Sequence, residues 1–167
     1  MKSNLFMDFS VEKEKATVNV KREFAAPLDK VWAAWTQSEL LDQWWAPNPW
    51  KARTKSMNFV VGGFWLYAMV GPDGSEEYCK ADYHAITHNE NYQYEDYFCN
   101  SEGVMKETPL NSRWSVSFSA IGEHTMVTIV IRHKNVEDLE AIIEMGFREG
   151  FSAGMENLDE VLMNLIP

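Results

Sequence analysis

From Val136 onward the sequence acquires a helical period. Leu139, Ile143, Phe147, Phe151, Met155, Leu158, Leu162 and Leu165 step by three or four residues and form one apolar stripe. The stripe predicts a single closing helix of about 27 residues, ~40 Å long at 1.5 Å per residue. A helix of that length needs a broad apolar surface to lie across, and the sequence before it reads as strands. The fold class expected is therefore α+β: a curved antiparallel sheet wrapped around a long C-terminal helix.

The strands follow from period-two alternation. Leu5, Met7, Phe9 and Val11 alternate with Phe6, Asp8 and Ser10, and Val18, Val20, Arg22 and Phe24 with Asn19, Lys21 and Glu23, so residues 5–24 read as a β-hairpin turning at the EKEKA segment. Further strands are expected at 56–61, 64–70, 77–86, 92–99, 113–120 and 125–133. Gly62-Gly63, Gly71-Pro72-Asp73-Gly74, His88 to Asn91 and Gly122-Glu123 supply turns between them. Asn100 to Ser112, with Gly103 and Pro109, reads as a long loop. With no internal repeat or linker, residues 1–167 form one domain.

Between the first hairpin and the remaining strands lies LDKVWAAWTQSELLDQWWAPNPW, Leu28 to Trp50, with five of the seven tryptophans. Pro27 opens a helix running to about Trp35. Thr36 and Ser38 offer capping oxygens for a second, from about Glu39 to Trp45, which Pro47 and Pro49 end. Trp32 and Trp35 are expected to be structural. Trp44, Trp45 and Trp50 are expected at a cavity mouth.

Charge and motif content narrow the function classes. The net charge of −10 and the single basic cluster, Lys51 to Lys55, argue against nucleic acid and against an anionic membrane as partners. The N-terminus has no long apolar run, so a cytoplasmic location is expected. Cys79 and Cys99 match no metal or redox spacing and read as buried free thiols. His84, His88, His124 and His133 show no metal-ligand spacing, and His133 is expected to be a satisfied structural imidazole, with the cavity mouth as its alternative place. Glu95 and Asp96 fall on opposite sheet faces. Asp82 and Asp96 are either a cross-strand pair or ordinary surface charges. No cofactor, metal or catalytic set is expected.

The residues VKREFAAPLDKVWAAWTQSELLDQWW (Val20 to Trp45), Gly62-Gly63-Phe64-Trp65, Pro72-Asp73-Gly74, Ala81-Asp82-Tyr83 and EMGFREGFSAGMENLDEVL (Glu144 to Leu162) together resemble the START-like, helix-grip superfamily (SRPBCC, Bet v 1-like). The closer similarity is to the activator of the 90-kDa heat-shock protein ATPase homologues. The resemblance covers about residues 16–165 and leaves 1–15 as an N-terminal strand extension. Ala81 stands where the family usually has glycine, and Asn58-Phe59-Val60 where it usually has a charged strand end. The resemblance implies a seven-stranded sheet gripping the terminal helix, and a cavity for apolar ligands.

The resulting expectation is a small soluble protein, monomer or homodimer, that binds an apolar or aromatic small molecule between sheet and helix. The lining residues expected are Trp45, Tyr67, Met69, Tyr83, Trp114, Phe118, Phe147 and Phe151. The tyrosines would add hydrogen bonds to the ring wall. Two alternatives stand beside it. One is a co-chaperone-like module that meets a heat-shock ATPase through Lys51 to Lys55. The other is an enzyme of cyclase or hydratase type using the pocket tyrosines, which needs an ionisable group with a shifted pKa inside the cavity. Gly146, Gly150 and Gly154, four residues apart on the terminal helix, imply either close packing or room for a ligand, and close packing is the expectation.

Overall fold

The computed structural model describes residues 5–107 and 110–165. Pro109, assigned to the long loop, lies outside them. Strands β1 (Met7–Glu12) and β2 (Thr17–Phe24) form the first hairpin. Helices α1 (Leu28–Thr36) and α2 (Ser38–Trp44) follow. Then come β3 (Lys51–Asn58), β4 (Phe64–Val70), β5 (Glu76–Thr87), β6 (Asn91–Cys99), β7 (Ser112–Ile121) and β8 (His124–His133), and finally α3 (Val136–Glu144) and α4 (Phe147–Leu165). The strands make one antiparallel sheet in the order β1-β2-β8-β7-β6-β5-β4-β3. The helices cover its concave face, giving the helix-grip architecture. The eighth strand, β1, adds an outer edge to the seven that the resemblance implied. No helix among the described residues is long and apolar enough to cross a membrane.

The alternation read from the sequence sets which side chains face inward. Val18, Val20, Arg22 and Phe24 of β2 are all buried, as are Val127, Ile129 and Ile131 of β8. They share one core with the indoles of α1 and α2 and with Met155, Leu158 and Leu162 of α4. Trp44 donates to the Ala34 carbonyl at 2.9 Å and sits 4.7 Å from Trp35, ring to ring, so α1 and α2 are locked together by their tryptophans.

Four local expectations need correction. The first concerns β3, which begins at Lys51 and so absorbs the basic cluster, five residues earlier than expected. Lys51, Arg53 and Lys55 are exposed on it while Ala52 is buried, the alternation of an edge strand. In the second, neither Thr36 nor Ser38 caps α2. Gln37 occupies that position, and the Thr36 hydroxyl donates back to the Trp32 carbonyl instead. Third, Asp82 and Asp96 are not neighbours. Asp96 stands opposite Ala81, and Asp82 opposite Glu95 on the other face.

The fourth correction concerns the closing helix, which is two helices. Gly146, at φ +91°, ends α3 by donating its amide to the Ile143 carbonyl. Only glycine takes that left-handed conformation without strain, and it is the usual helix-ending residue. The periodicity hid the break because Leu139, Ile143, Phe147 and Phe151 keep their four-residue step across it.

The other two glycines lie within α4 and differ in kind. A Cβ on Gly154 would lie 3.2 Å from the Trp44 carbonyl oxygen and 3.4 Å from that of Trp45, so α4 crosses the end of α2 at close range. A Cβ on Gly150 would meet only Pro47 Cγ at 3.5 Å, an ordinary contact. Gly154→Ala is therefore expected to lose stability, on the order of 1–3 kcal/mol, because backbone carbonyls cannot yield without moving two tryptophans. Gly150→Ala is expected to gain up to ~1 kcal/mol from helix propensity. Thermal unfolding of the two variants checks both signs.

Candidate functional site

The concave face of the sheet is filled in two different ways. At one end, Trp32 of α1 meets Phe118 at 5.0 Å and Tyr92 at 5.8 Å, and Phe59 meets Tyr83 at 4.8 Å. These rings pack that half. At the other end, the α3–α4 junction stands off the sheet and leaves a cavity of about 670 Å³. Burial along the helical stripe records this. Leu139, Met155, Leu158 and Leu162 are fully buried, but Ile143, Phe147 and Phe151, between them, are only half-buried.

Of the residues expected from the sequence, Trp45, Tyr67, Met69, Trp114, Phe147 and Phe151 come together around this cavity. Tyr83 and Phe118 do not. They face the correct side of the sheet, but Phe59 and the α1 indoles occupy the space above them. Trp50 lines the cavity. Trp44 is fully buried between α1 and α2 instead.

The wall is built from rings that fix one another. Phe147 and Phe151 stack at 5.2 Å, and both meet Trp114 edge-on. The Trp45 indole donates to the Tyr67 hydroxyl at 3.1 Å, and Tyr67 stacks on Trp65 at 3.9 Å. Burial pushes the Tyr67 phenol well above its ordinary range, so it stays neutral. Cys79, paired with Tyr67 across β4 and β5, is a buried free thiol, likewise raised by burial. Cys99 is also free and buried, on the opposite face.

Of the polar part of the cavity, His133 takes the alternative place expected for it, whereas Asp96 and Ser112 were not expected there. Strand register sets Asp96 of β6 opposite Ser112 of β7, and Ser112 opposite His133 of β8. The three form a row across adjacent strands, and all three line the cavity. With strands ~4.8 Å apart, Asp96 and His133 are ~10 Å apart at Cα. The Ser112 hydroxyl accepts from the Trp114 indole at 3.0 Å. Both His133 ring nitrogens are buried without a hydrogen-bond partner, and the half-buried Asp96 side chain has no donor among the described residues. His133 is thus an unsatisfied imidazole, not the satisfied one expected.

Burial raises Asp96 to about 7 and lowers His133 from its ordinary value, with partial compensation from Asp138. A carboxyl that titrates near neutrality can accept or release a proton under ordinary conditions. The ionisable group that a catalytic reading requires is present, and it is a carboxyl rather than a tyrosine. At the cavity rim Lys106 pairs with Glu77 at 2.7 Å.

Sheet, gripping helices and a ring-walled cavity with a polar row define a helix-grip domain of the ligand-binding type. The family model described as activator of Hsp90 ATPase homolog 1-like protein matches residues 25–163, and the chain belongs to that family. Solved structures of the same fold include a protein from Arthrobacter aurescens, 27% identical, with a TM-score of 0.88 over 94% of this chain and 91% of that one. A protein from Staphylococcus epidermidis is 26% identical, with a TM-score of 0.82 over 95% and 96%. One from Mycobacterium smegmatis is 24% identical, with a TM-score of 0.85 over 96% and 99%. No curated protein shows a significant match.

Proposed function

We propose that the protein binds an apolar, ring-containing small molecule in the cavity between β4–β8 and the α3–α4 junction. The observation that carries this is the cavity itself. Its volume of about 670 Å³ suits a small organic molecule, and its wall is mostly apolar and rich in aromatic rings. Burial against rings supplies the affinity, and the polar row orients the ligand.

Native mass spectrometry of freshly purified protein is expected to show a retained small molecule. Titration with the uncharged fluorophore N-phenyl-1-naphthylamine gives the quantitative test. Phe151→Ala removes part of the wall and should weaken the probe about tenfold, the loss of one buried ring face. Phe118→Ala, in the packed half, should destabilise the fold while leaving probe affinity unchanged. Absence of probe binding, or equal affinity in both variants and the parent, would reject the proposal.

The family description favours a second reading, a module that meets an Hsp90-type ATPase. Its surface would be edge strand β3, where Lys51, Arg53 and Lys55 are exposed. Arg53 already pairs with Glu76, and Lys55 with the Ser101 carbonyl, so less free charge remains than the sequence implies. Absence of both retention on the chaperone's middle domain and ATPase stimulation would remove this reading.

A further inference from the structure

We infer that the ligand of this cavity is an amine, and that Asp96 is the counter-ion of its protonated nitrogen. The inference rests on the ligand-binding reading and gives the ligand its chemical class.

The argument starts from what the cavity offers to a polar group. Asp96 is the one acidic side chain of the polar row. It faces inward with Tyr94 and Phe98, where alternation otherwise places rings. No described residue donates to it, so a donor must come from the ligand or from water. The ring wall of Trp45, Trp114, Phe147 and Phe151 presents electron-rich faces, which attract cations and repel anions. A positively charged nitrogen attached to an aromatic or apolar body satisfies both features together.

The other charges around Asp96 point the same way. From β5, Glu77 faces the cavity, and Cys79 is a neutral thiol. From β4, Tyr67 is a neutral phenol. From β8, His133 is disfavoured as a cation by its burial, despite Asp138 behind it. Lys106 is held by Glu77 at the rim. The segments of α3 and α4 over the cavity contribute Ile142, Met145, Gly146, Phe147, Gly150 and Phe151, none of them ionisable. Among the described residues that line the cavity an anionic ligand would find no unpaired cation, and it would meet Asp96. The net charge of −10 also draws cations to the protein.

The unpartnered carboxyl now has a reason. A half-buried acid that faces the cavity with no partner among the described residues is raised by desolvation to about 7, half protonated in neutral solution. Arrival of an ammonium supplies the missing partner, and Asp96 releases its proton to solvent as the ion pair forms. Affinity for the cation must therefore rise with pH through about 7, because only ionised Asp96 pairs with it. Protonation of His133 in acid acts in the same direction by adding a like charge.

Three naphthalene probes of matched size test this by calorimetry: naphthalen-2-ylmethylammonium, naphthalene-2-methanol and 2-naphthoate. At pH 8 the ammonium is expected to bind at least tenfold more tightly than the alcohol, and the naphthoate more weakly than either. Between pH 8 and pH 6 the ammonium, a cation at both values, should lose about tenfold while the alcohol does not change. Asp96→Asn should abolish the preference for the ammonium and its pH dependence while still binding the alcohol, which shows that the variant is folded. Glu77→Gln should keep both. An alcohol or naphthoate that binds as tightly as the ammonium at pH 8, or a preference that survives Asp96→Asn, overturns the inference and leaves the ligand-binding reading standing. Failure of all three probes to bind overturns both.

Discussion

Asp96→Asn is expected to stabilise the ligand-free protein at pH 8 and to leave its stability nearly unchanged at pH 4. In the folded state the carboxyl titrates at about 7, against 3.8 for the free side chain. Its raised value means that the folded chain holds the proton more tightly than the unfolded chain. Between those two values unfolding releases a proton, so stability falls as pH rises from about 4 and the full penalty is in place above 7. Each unit of difference is worth about 1.4 kcal/mol. With water reaching the cavity, the penalty is on the order of 2–4 kcal/mol. Asparagine keeps the size and polarity and never ionises, so it removes that penalty. For a domain of this size the midpoint of thermal unfolding should rise by about 5 °C or more at pH 8. Paired melts of parent and variant across pH 4–8 measure it. A variant less stable at pH 8 would show that Asp96 has a cationic partner in the free protein.

A destabilising acid at this place is consistent with the proposed binding role, and the sequence carries its signal. In β6, Tyr92, Tyr94, Asp96 and Phe98 share one phase of the alternation. An acid in the apolar phase of a strand is the readable anomaly. Ser112 and His133 are comparable, each in phase with buried residues: Trp114 and Val116 for the first, Ile129 and Ile131 for the second. What the sequence withholds is register. Only the pairing of three strands sets Asp96, Ser112 and His133 in one row, and β6 and β7 are not joined by a tight turn that would fix their register locally.

The strands and the two tryptophan helices were legible because alternation and proline stops are local signals. The division of the concave face was not. Tyr83 and Trp114 point to the same side of the sheet, and nothing local tells that Phe59 covers the first while the second borders a cavity. Gly146 was legible as a glycine in an apolar stripe. Its helix-ending role was masked because the stripe continues in phase beyond it.

Asp159→Ala is expected to cost about 3 kcal/mol or more. Arg22 lies in the inward phase of β2, with only 6% of its side chain exposed. Its Nη1 and Nη2 donate to the two carboxylate oxygens of Asp159 at 2.8 and 2.7 Å, and its guanidinium lies 4.8 Å over the Phe24 ring. Removing the carboxylate leaves a buried cation with no counter-charge, and that desolvation cost dominates. Replacing both partners removes the stranded charge, so Arg22→Met with Asp159→Ala should recover most of the loss. Urea denaturation of the single and double variants gives the comparison, and equal losses in both would mean that packing, not charge, sets the effect. The pair also has a positional consequence. Asp159 is two helical turns from Phe151, ~12 Å along α4. A two-pronged bond at Asp159 fixes how far α4 is advanced along the sheet, and with it the height at which Phe151 and Gly150 close the cavity. Loss of the pair should therefore weaken ligand probes as well as stability, whereas Gly150→Ala acts on the cavity wall without moving the helix.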